Sequence, residues 1–176
     1  AYHYGCLELE YHLIDKGATS FYKNNSPYLL NLENIDSILL GQSDVATPKT
    51  INYLPKDRDA MLKCIDYLGG FPIIIKALGG SHGVGVMKIE TTESLFSVSD
   101  YLRRQGGIFV MKEYCDVKST ARLIVLGDKV IDSIEYRANK GDFRSNEGAK
   151  PNTDVKEYDD TTKELAVKAT HALGLE

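Results

Sequence analysis

The sequence predicts an α+β protein with substantial antiparallel pairing of its strands. Residues 71–77, FPIIIKA, are nearly all apolar and rich in β-branched side chains, which is typical of a buried strand. The runs 120–126 and 129–137 are separated only by Gly127 and Asp128, a tight-turn pair, so they are expected to form an antiparallel hairpin. Apolar residues at helical spacing elsewhere in the chain predict the helices.

Two short helices are expected before residue 45. The first covers residues 7–16 and ends at Gly17, a natural C′ position. The second is closed by Gly41. Their apolar stripes are, in turn, Leu7, Tyr11 and Ile14, and Leu32, Ile35 and Leu39.

A strand is expected at residues 49–53, because the residue before Pro48 is pushed out of the helical region. Pro55 then suits the first turn of a helix that Gly69 and Gly70 stop. The inner stripe of this helix is Met61, Ile65 and Leu68.

Two more strands, residues 86–90 and 108–114, are expected to flank another helix. Thr91 or Thr92 can cap this helix. Its inner face and its stop are Leu95, Val98 and Leu102, followed by Gly106 and Gly107.

The C-terminal part combines an irregular segment with a last helix. Residues 140–154 are polar, contain glycine and are too long for a simple turn. Thr161 followed by Glu164 predicts a capping box for the helix. The inner face of that helix is Leu165, Ala169 and Leu173.

The charge balance argues against a surface for nucleic acid or for an anionic membrane. Lys and Arg total 21, Asp and Glu total 25, and the formal net charge is −4. Phosphate backbones are held chiefly by an excess of clustered Lys and Arg, which this sequence lacks, although a small anion in a local pocket is compatible with the charge. No apolar run approaches the roughly 18 residues needed to span a bilayer. The first residues do not resemble a signal peptide either, so a cytoplasmic protein is expected.

Residues 72–87, PIIIKALGGSHGVGVM, are the most informative segment, because glycines at 79, 80, 83 and 85 lie between two strands. Glycine loses the most backbone freedom on folding, so such a segment is costly to order. Successive backbone N–H groups in a loop of this kind can point at a phosphate. The loop can also be merely a hairpin tip, and the glycines alone leave both interpretations open.

Lys76 ends the apolar strand directly before these glycines, where a solubilising lysine is unnecessary. Its ammonium could clamp a phosphate, and the alternative is a lysine that snorkels from the strand end. Because a strand follows the glycines, the segment fits neither a P-loop nor a dinucleotide fingerprint, both of which open a helix. A protein-kinase glycine loop does not fit either, since its lysine comes after the loop.

The order of these parts resembles the ATP-grasp family, and more narrowly its RimK-like branch of ligases. The parts are an apolar strand ending in Lys, a glycine flap, a strand, a helix, and an apolar strand leading to an acidic residue. The segments that carry the resemblance are PIIIKALGGSHGVGV, IFVMKEY, ARLIVLGDKVIDSIEYR and, as the most specific, GDFRSN at 141–146. The resemblance implies an ATP-grasp fold, in which two α+β lobes with antiparallel sheets grip ATP.

The resemblance also implies roles for individual residues. Lys76 corresponds to the family's phosphate-binding lysine. Arg144 and Asn146 correspond to catalytic residues that reach the phosphates and, through Asn146, the metal shell. The other nucleotide-binding positions that it implies are Gly80, Ser81, His82, Gly83 and Gly85 in the flap, Lys112, Glu113 and Tyr114 at the hinge that reads the adenine edge, and Thr120, Arg122 and Ser145.

Some of these residues have plainer interpretations. Glu113 taken alone is more often a solvated strand residue, and Arg122 can be a structural ion-pair partner. His82 has no neighbouring carboxylate in the sequence to orient it as a general base. The functional interpretation is stronger at residues 144–146, because their arginine, hydroxyl and amide side chains together supply the groups that bind phosphate.

The sequence departs from the family pattern at several positions. Thr120 stands where relatives have Asp, and Glu33 falls where the branch commonly has Lys. Residues 147–153, EGAKPNT, replace the basic residues that usually follow the RSN triplet, so glutamate is not supported as the substrate. The resemblance implies Mg²⁺ beside ATP, with the carboxylate ligands of the metal expected beyond Glu176.

The resemblance predicts three parts of the chain. Residues 1–45 would be the remnant of an α/β N-terminal domain, residues 46–110 the small lobe with its flap, and residues 111–176 the start of the large lobe. The chain begins at Ala1 and stops within a readable pattern, so we expect it to be a piece of a longer protein.

The function implied is carboxylate–amine ligation through an acylphosphate, with ATP, a carboxylate and an amine as partners. The piece alone is expected to be inactive, and a homo-oligomer is left open. One alternative is a nucleotide-binding regulatory module without ligase activity, in which Thr120 and Glu33 mark lost chemistry. Another is an α+β interaction domain whose glycines only turn a hairpin.

Overall fold

The computed structural model describes residues 9, 12–19, 35–77, 83–137, 141–144 and 152–175. The chain divides into two compact units. The four-stranded unit comprises Pro48–Lys118 and Ala138–Pro151. The three-stranded unit comprises Ala1–Thr47, Ser119–Arg137 and Asn152–Glu176. The division expected at residues 45 and 110 stays a prediction.

The elements are, in chain order, α1 Ile35–Gln42, β1 Thr50–Ile51, α2 Arg58–Leu68, β2 Ile73–Ala77, β3 Val86–Ile89, α3 Thr92–Arg104, β4 Phe109–Glu113, β5 Ser119–Leu126, β6 Lys129–Arg137, β7 Asn152–Val155 and α4 Asp160–Ala172. One sheet has the strand order β1-β4-β2-β3 and the other β5-β6-β7, and every pairing is antiparallel. The predicted α+β class with antiparallel sheets is confirmed.

The core of the four-stranded unit lies between its sheet and the helices α2 and α3. Alternate residues of β2 point inward, and Ile73 and Ile75 are both 0% exposed. Met61 and Ile65 of α2 and Leu95 of α3 pack against them. The predicted inner stripes of both helices therefore form one apolar layer, which leaves the opposite face of the sheet for other contacts.

The capping of α3 follows the sequence prediction. Thr91 is the N-cap, and its Oγ1 accepts a hydrogen bond of 3.2 Å from the Ser94 amide. The Ser94 hydroxyl lies 3.2 Å from the Thr91 amide, which completes a capping box. The helix ends at Arg104, just before Gly106.

The predicted start of α2 at Pro55 is wrong. The helix begins at Arg58, because the Asp57 carboxylate accepts a hydrogen bond of 2.8 Å from the Ala60 amide. Its end is as predicted, since Gly69 has a φ of 98° and caps the last turn.

The predicted stop of α1 at Gly41 is also wrong, because the helix continues to Gln42. The left-handed residue after it is Asp44, with a φ of 51°, a conformation that aspartate tolerates better than most residues. In the first predicted helix, residues 12–15 are helical and Gly17 has a φ of 87°. Lys16 is in a turn rather than in the helix, and the predicted helix residues 7, 8, 10 and 11 lie outside the described residues, as does Leu32.

The expected strand at residues 49–53 is shorter than predicted. Only Thr50 and Ile51 pair with β4, and the following residues bend away. The hairpin of β5 and β6 is confirmed, with Gly127 at a φ of 59° in its turn.

The irregular segment predicted at residues 140–154 ends in a strand that the sequence analysis missed. β7 pairs with β6, in a register that places Asp154 opposite Glu135. All four residues of β7 are exposed, so the strand has no alternation of apolar and polar residues that could reveal it.

The predicted capping box of the last helix is wrong as well. α4 is capped by Asp159, whose Oδ1 accepts a hydrogen bond of 2.7 Å from the Thr162 amide. A carboxylate at this position also interacts favourably with the positive end of the helix dipole. Thr161 therefore lies inside the first turn.

Candidate functional site

Lys76 lies on the face of the four-stranded sheet that points away from the helices. Its neighbour Ile75 is buried in the helix-facing core, and side chains alternate along a strand, so Lys76 points to the opposite face. The side chain is exposed. Directly opposite it are Val86 of β3 and Val110 of β4. The predicted phosphate-binding lysine is thus at the second-last position of β2, on the sheet face that α2 and α3 do not cover, which we call the open sheet face. Val110, on the same face, is nevertheless 0% exposed.

A glycine turn leads into β3 beside Lys76. The Ala77 amide donates to the Gly85 carbonyl at 2.9 Å, which extends the β2–β3 ladder beyond the Lys76–Val86 pair. The Val86 amide donates to the Gly83 carbonyl at 3.3 Å and closes the turn. Gly83 and Gly85 have φ values of 79° and 84°, which favour glycine.

Gly85 also occupies a position without space for a side chain. A Cβ there would lie 3.3 Å from the Cβ of Ala77 and 3.4 Å from its carbonyl oxygen. The group that approaches Gly85 closely is therefore Ala77 of the neighbouring strand β2. Gly80, Ser81 and His82 lie outside the described residues.

Arg144 joins the glycine turn to the GDFR segment. Its Nη1 donates to the Gly83 carbonyl at 3.2 Å. Its Nε and Nη2 donate to Oδ1 and Oδ2 of Asp142, at 3.0 and 2.8 Å. Ser145 and Asn146 lie outside the described residues. The structure thus brings Arg144 to the base of the predicted flap, with a carboxylate partner that the sequence analysis did not single out.

The predicted hinge begins where the ladder of β4 ends. The Glu113 amide donates to the Lys49 carbonyl at 3.0 Å, so this N–H group is already engaged within the sheet. Tyr114 follows the strand, and the Nζ of Lys88 lies 4.6 Å from the centroid of its ring. Residues 114–118, between β4 and β5, lie outside both sheets.

Two further lysines share the open sheet face with Lys76. Lys88 of β3 and Lys112 of β4 lie on either side of Ile74, which is two residues before Lys76 on β2. Both are half-buried, and the Nζ of Lys88 also lies 3.2 Å from Oε1 of Glu90. Lys112 belongs to the predicted site and Lys88 does not. The hairpin register was the signal that could have revealed Lys88, since pairing Lys76 with Val86 places residue 88 opposite residue 74.

Thr120 and Arg122 lie in the three-stranded unit, two residues apart on β5 and therefore on the same face of the strand. Thr120 is opposite Tyr136 of β6, and the guanidinium carbon of Arg122 is 5.1 Å from the centroid of the Tyr136 ring. The structural contact of Arg122 is thus with an aromatic ring.

The other face of β6 carries a buried carboxylate. Glu135 is 6% exposed. Its Oε1 accepts hydrogen bonds from Nζ of Lys156 at 2.7 Å and from Oγ of Ser119 at 2.8 Å, and its Oε2 accepts from Nη2 of Arg137 at 2.7 Å. These hydrogen bonds, above all the one from Lys156, lower the pKa of Glu135 to about 2. Arg137 also contacts Asp154 of β7, so the cluster joins all three strands of the sheet.

The magnesium that the resemblance implies has no ligand set in the described part of the chain. Among those residues, no three His, Cys, Asp or Glu side chains come together as a metal site. Asn146 lies outside them.

Two clefts lie away from the predicted site residues. One, of about 650 Å³, lies between α4 and the β5–β6 turn, where Nε2 of His171 is 3.3 Å from Oδ1 of Asp128. The other, of about 350 Å³, lies beside the exposed side chains of Tyr53 and Ile108. No described residue of the predicted site lines either cleft. Among the described helices, none has the length and apolar character to cross a membrane.

Comparison with solved structures supports the fold. The ATP-grasp ligase PsnB, in complex with a phosphomimetic variant of its minimal precursor, Mg and ADP, gives a TM-score of 0.66 at 19% identity, covering 92% of this chain and 48% of that one. The D-alanine–D-alanine ligase from Bacillus anthracis in complex with ATP gives a TM-score of 0.67 at 19% identity, covering 93% of this chain and 54% of that one. Both confirm the expected ATP-grasp fold.

Two curated relatives are ligases. They are the probable alpha-L-glutamate ligase of Klebsiella pneumoniae (strain 342) and the ribosomal protein bS6–L-glutamate ligase of Escherichia coli O139:H28 (strain E24377A / ETEC). Each is 33% identical over 145 residues, which cover 78% of this chain and 46% of the relative. The chain thus spans about half the length of these relatives.

A family profile described as the RimK-like ATP-grasp domain matches residues 34–176. This range includes every residue of the predicted site and both antiparallel sheets. The chain therefore belongs to the RimK-like ATP-grasp family, as the motifs in its sequence predicted.

Proposed function

We propose that this chain is the ATP-binding part of an ATP-dependent carboxylate–amine ligase, which forms an amide or peptide bond through an acylphosphate. The observation that carries the proposal is the meeting of three features in the four-stranded unit. Lys76 stands at the end of β2, and the next residue is bonded to Gly85 at 2.9 Å. Arg144 reaches the same turn through its 3.2 Å bond to Gly83. Membership of a family whose relatives are ligases supports the same conclusion.

In this reaction a carboxylate oxygen would attack the γ-phosphorus of ATP, and ADP would leave. An amine would then attack the acyl carbon, and phosphate would leave. The protein needs to supply little covalent chemistry, because positioning and neutralisation of the developing charge carry most of the acceleration. Lys76 and Arg144 would supply positive charge, and backbone N–H groups of the flap would exclude water from the phosphates.

The adenine would bind at the hinge after β4. Since the Glu113 amide is engaged with Lys49 at 3.0 Å, we assign the adenine edge to the Glu113 carbonyl and to the main chain from Tyr114 onward. Lys112, on the open sheet face, would lie along the nucleotide between the hinge and Lys76.

The remaining predicted residues are part of the proposal. Thr120 and Arg122 would contact the nucleotide from β5, and Ser145 and Asn146 would extend the phosphate contacts of Arg144. Any Mg²⁺ would take its carboxylate ligands from residues other than those described. A carboxylate and an amine are the substrate classes, and the cytoplasm is the expected compartment.

A thermal-shift titration with Mg–ATP tests the proposal on the wild type, Lys76→Ala and Lys63→Ala. Lys63 is the matched control, because it is an exposed lysine on α2 in the same unit. At 100 times its dissociation constant, ATP is expected to stabilise the wild type and Lys63→Ala by about 2.7 kcal/mol. Lys76→Ala is expected to lose most of this effect at the same ATP concentration. Equal shifts in all three proteins, or no shift in the wild type, would contradict the proposal.

A further inference from the structure

Asp142 holds the guanidinium of Arg144 by its edge. Nε of Arg144 donates to Oδ1 at 3.0 Å and Nη2 donates to Oδ2 at 2.8 Å. Two parallel hydrogen bonds between a guanidinium and a carboxylate fix both the plane and the direction of the group. The orientation of Arg144 is thus set by this carboxylate.

The same carboxylate also shapes the backbone. Oδ1 of Asp142 accepts a hydrogen bond of 2.9 Å from the amide of Arg144, two residues later, and Gly141 has a φ of 88°. Aspartate commonly forms such a turn with the residue two positions on. Asp142 therefore fixes the main chain and the side chain of Arg144 together.

The pair is partly shielded from water. The side chains of Asp142 and Arg144 are 22% and 24% exposed. Ion pairs that are fully exposed contribute little to the free energy of folding, because screening by water and the loss of side-chain entropy cancel most of the attraction. A pair with this bidentate geometry and burial is expected to be held more firmly.

Fixing one edge of the guanidinium directs the Nη1 group to the glycine turn. Nη1 of Arg144 donates to the Gly83 carbonyl at 3.2 Å, and the Val86 amide donates to the same oxygen at 3.3 Å. A carbonyl oxygen has two lone pairs and can accept both bonds. The Arg144 bond thereby connects segments 61 residues apart in the sequence.

We propose that Asp142 is a positioning residue, which orients Arg144 so that its guanidinium holds the glycine turn at Gly83 and faces the phosphates of ATP. This inference rests on the proposed function. Asp142 acts through Arg144 and does not itself contact the nucleotide. The opposite role, a carboxylate that competes with phosphate for the guanidinium, predicts tighter binding of ATP when the carboxylate is removed.

The binding test uses isothermal titration of Mg–ATP into the wild type, Asp142→Asn, Arg144→Lys and the double variant. Asp142→Asn keeps one acceptor oxygen but loses the charge and the fork, so the dissociation constant is expected to rise about tenfold. Arg144→Lys cannot be held in the same way, so adding Asp142→Asn to it is expected to change the dissociation constant less than twofold. Additive effects of the two substitutions, or tighter binding by Asp142→Asn, would overturn the proposal.

Asp100→Asn is the matched control, since Asp100 also pairs with an arginine of the same unit, Arg58 at 3.6 Å, but on the exposed surface. Its affinity for ATP and its melting temperature are expected to match those of the wild type. Asp142→Glu, which retains a carboxylate, is expected to recover part of the lost affinity.

A second measurement needs no nucleotide. Hydrogen exchange at the Val86 amide, which closes the glycine turn, is expected to be several-fold faster in Asp142→Asn and Arg144→Lys than in the wild type and Asp100→Asn. Unchanged exchange in both variants would overturn the positioning role even if ATP binds. Faster exchange in a protein that binds no ATP would leave the positioning of Arg144 standing and refute the proposed function.

Discussion

At Gly85, a single methyl group is expected to disturb the base of the flap. Its φ of 84° disfavours any side chain, and an added Cβ would crowd Ala77 at 3.3 Å. We expect Gly85→Ala to lower the free energy of unfolding by about 1–3 kcal/mol and to weaken ATP binding, because both backbone strain and crowding act there.

Urea denaturation of Gly85→Ala and Gly127→Ala separates these two causes. Gly127 also has a left-handed φ, of 59°, but a Cβ there would meet nothing within 4 Å. Gly127→Ala is therefore expected to report backbone strain alone and to leave ATP affinity unchanged. An equal loss of stability and of affinity in both variants would refute the role of crowding at Gly85.

Glu135 is expected to make stability depend on acid pH. Its pKa is lowered from 4.5 to about 2 in the folded protein, chiefly by the hydrogen bond from Lys156. A carboxylate with a lowered pKa contributes stability that is fully present above its unfolded-state pKa and is lost as the pH falls through the folded-state value. The contribution of Glu135 is therefore expected to be complete above about pH 5 and to fade between pH 4.5 and 2.

Urea denaturation at pH 7, 4 and 3 tests this expectation with Glu135→Gln. The substitution is expected to destabilise the protein at pH 7, with a difference from the wild type that shrinks as the pH falls. Glu164→Gln, an exposed glutamate on α4, serves as the control and is expected to follow the wild-type curve. A difference that stays constant from pH 7 to 3 would show that Glu135 does not titrate as described.

At the scale of elements, helix caps decide where the helices begin. Thr91→Ala removes the side chain that accepts from the Ser94 amide at 3.2 Å, so it is expected to cost about 1 kcal/mol of unfolding free energy. Thr92→Ala changes the next residue, which lies inside the first turn, and is expected to leave the unfolding free energy unchanged or to raise it by a few tenths of a kcal/mol, because alanine has the higher helix propensity. Chemical denaturation of the two variants checks the difference, and equal losses would refute a special role for Thr91.

The elements also show what a sequence can reveal. β2 is a continuous run of β-branched residues, and α3 buries one face whose apolar residues recur at helical spacing, so both elements could be predicted. β7 is exposed throughout, and its pairing depends on main-chain bonds and on the ion pair between Arg137 and Asp154, neither of which leaves a periodic pattern. At α4, the cap was predicted at Thr161, whereas the structure shows Asp159 as the N-cap, with its Oδ1 accepting from the Thr162 amide.

For the candidate site, the sequence predicted which residues take part but not the side-chain contacts that they make. Lys76 was singled out because it ends an apolar strand directly before the glycines. The contact between Arg144 and Gly83 joins residues 61 positions apart, and no local pattern encodes such a separation. Asp142, in contrast, lies two residues before Arg144, and its capacity to turn the chain was a signal available in the sequence.

Across the whole molecule, buried apolar side chains are unevenly distributed. Among the described residues, all those in the apolar core lie in the four-stranded unit except Val45. The buried residues that the structure describes on the three-stranded sheet are the polar pair Ser133 and Glu135. The four-stranded unit is thus stabilised mainly by burial of apolar surface, whereas the described part of the three-stranded sheet relies more on hydrogen-bonded charge.

The placement of Lys76, Lys88 and Lys112 on one sheet face gives ionic strength two opposing effects. Lys88 and Lys112 are each diagonal to Lys76 on a neighbouring strand, and such positions are separated by about 7–8 Å, which is close to the Debye length of about 8 Å in physiological salt. Added salt therefore weakens the mutual repulsion of these ammonium groups, and it weakens their attraction for a polyanion as well. A protein arranged in this way would gain resistance to unfolding in concentrated salt and, over the same range, lose affinity for the ATP that we propose it binds.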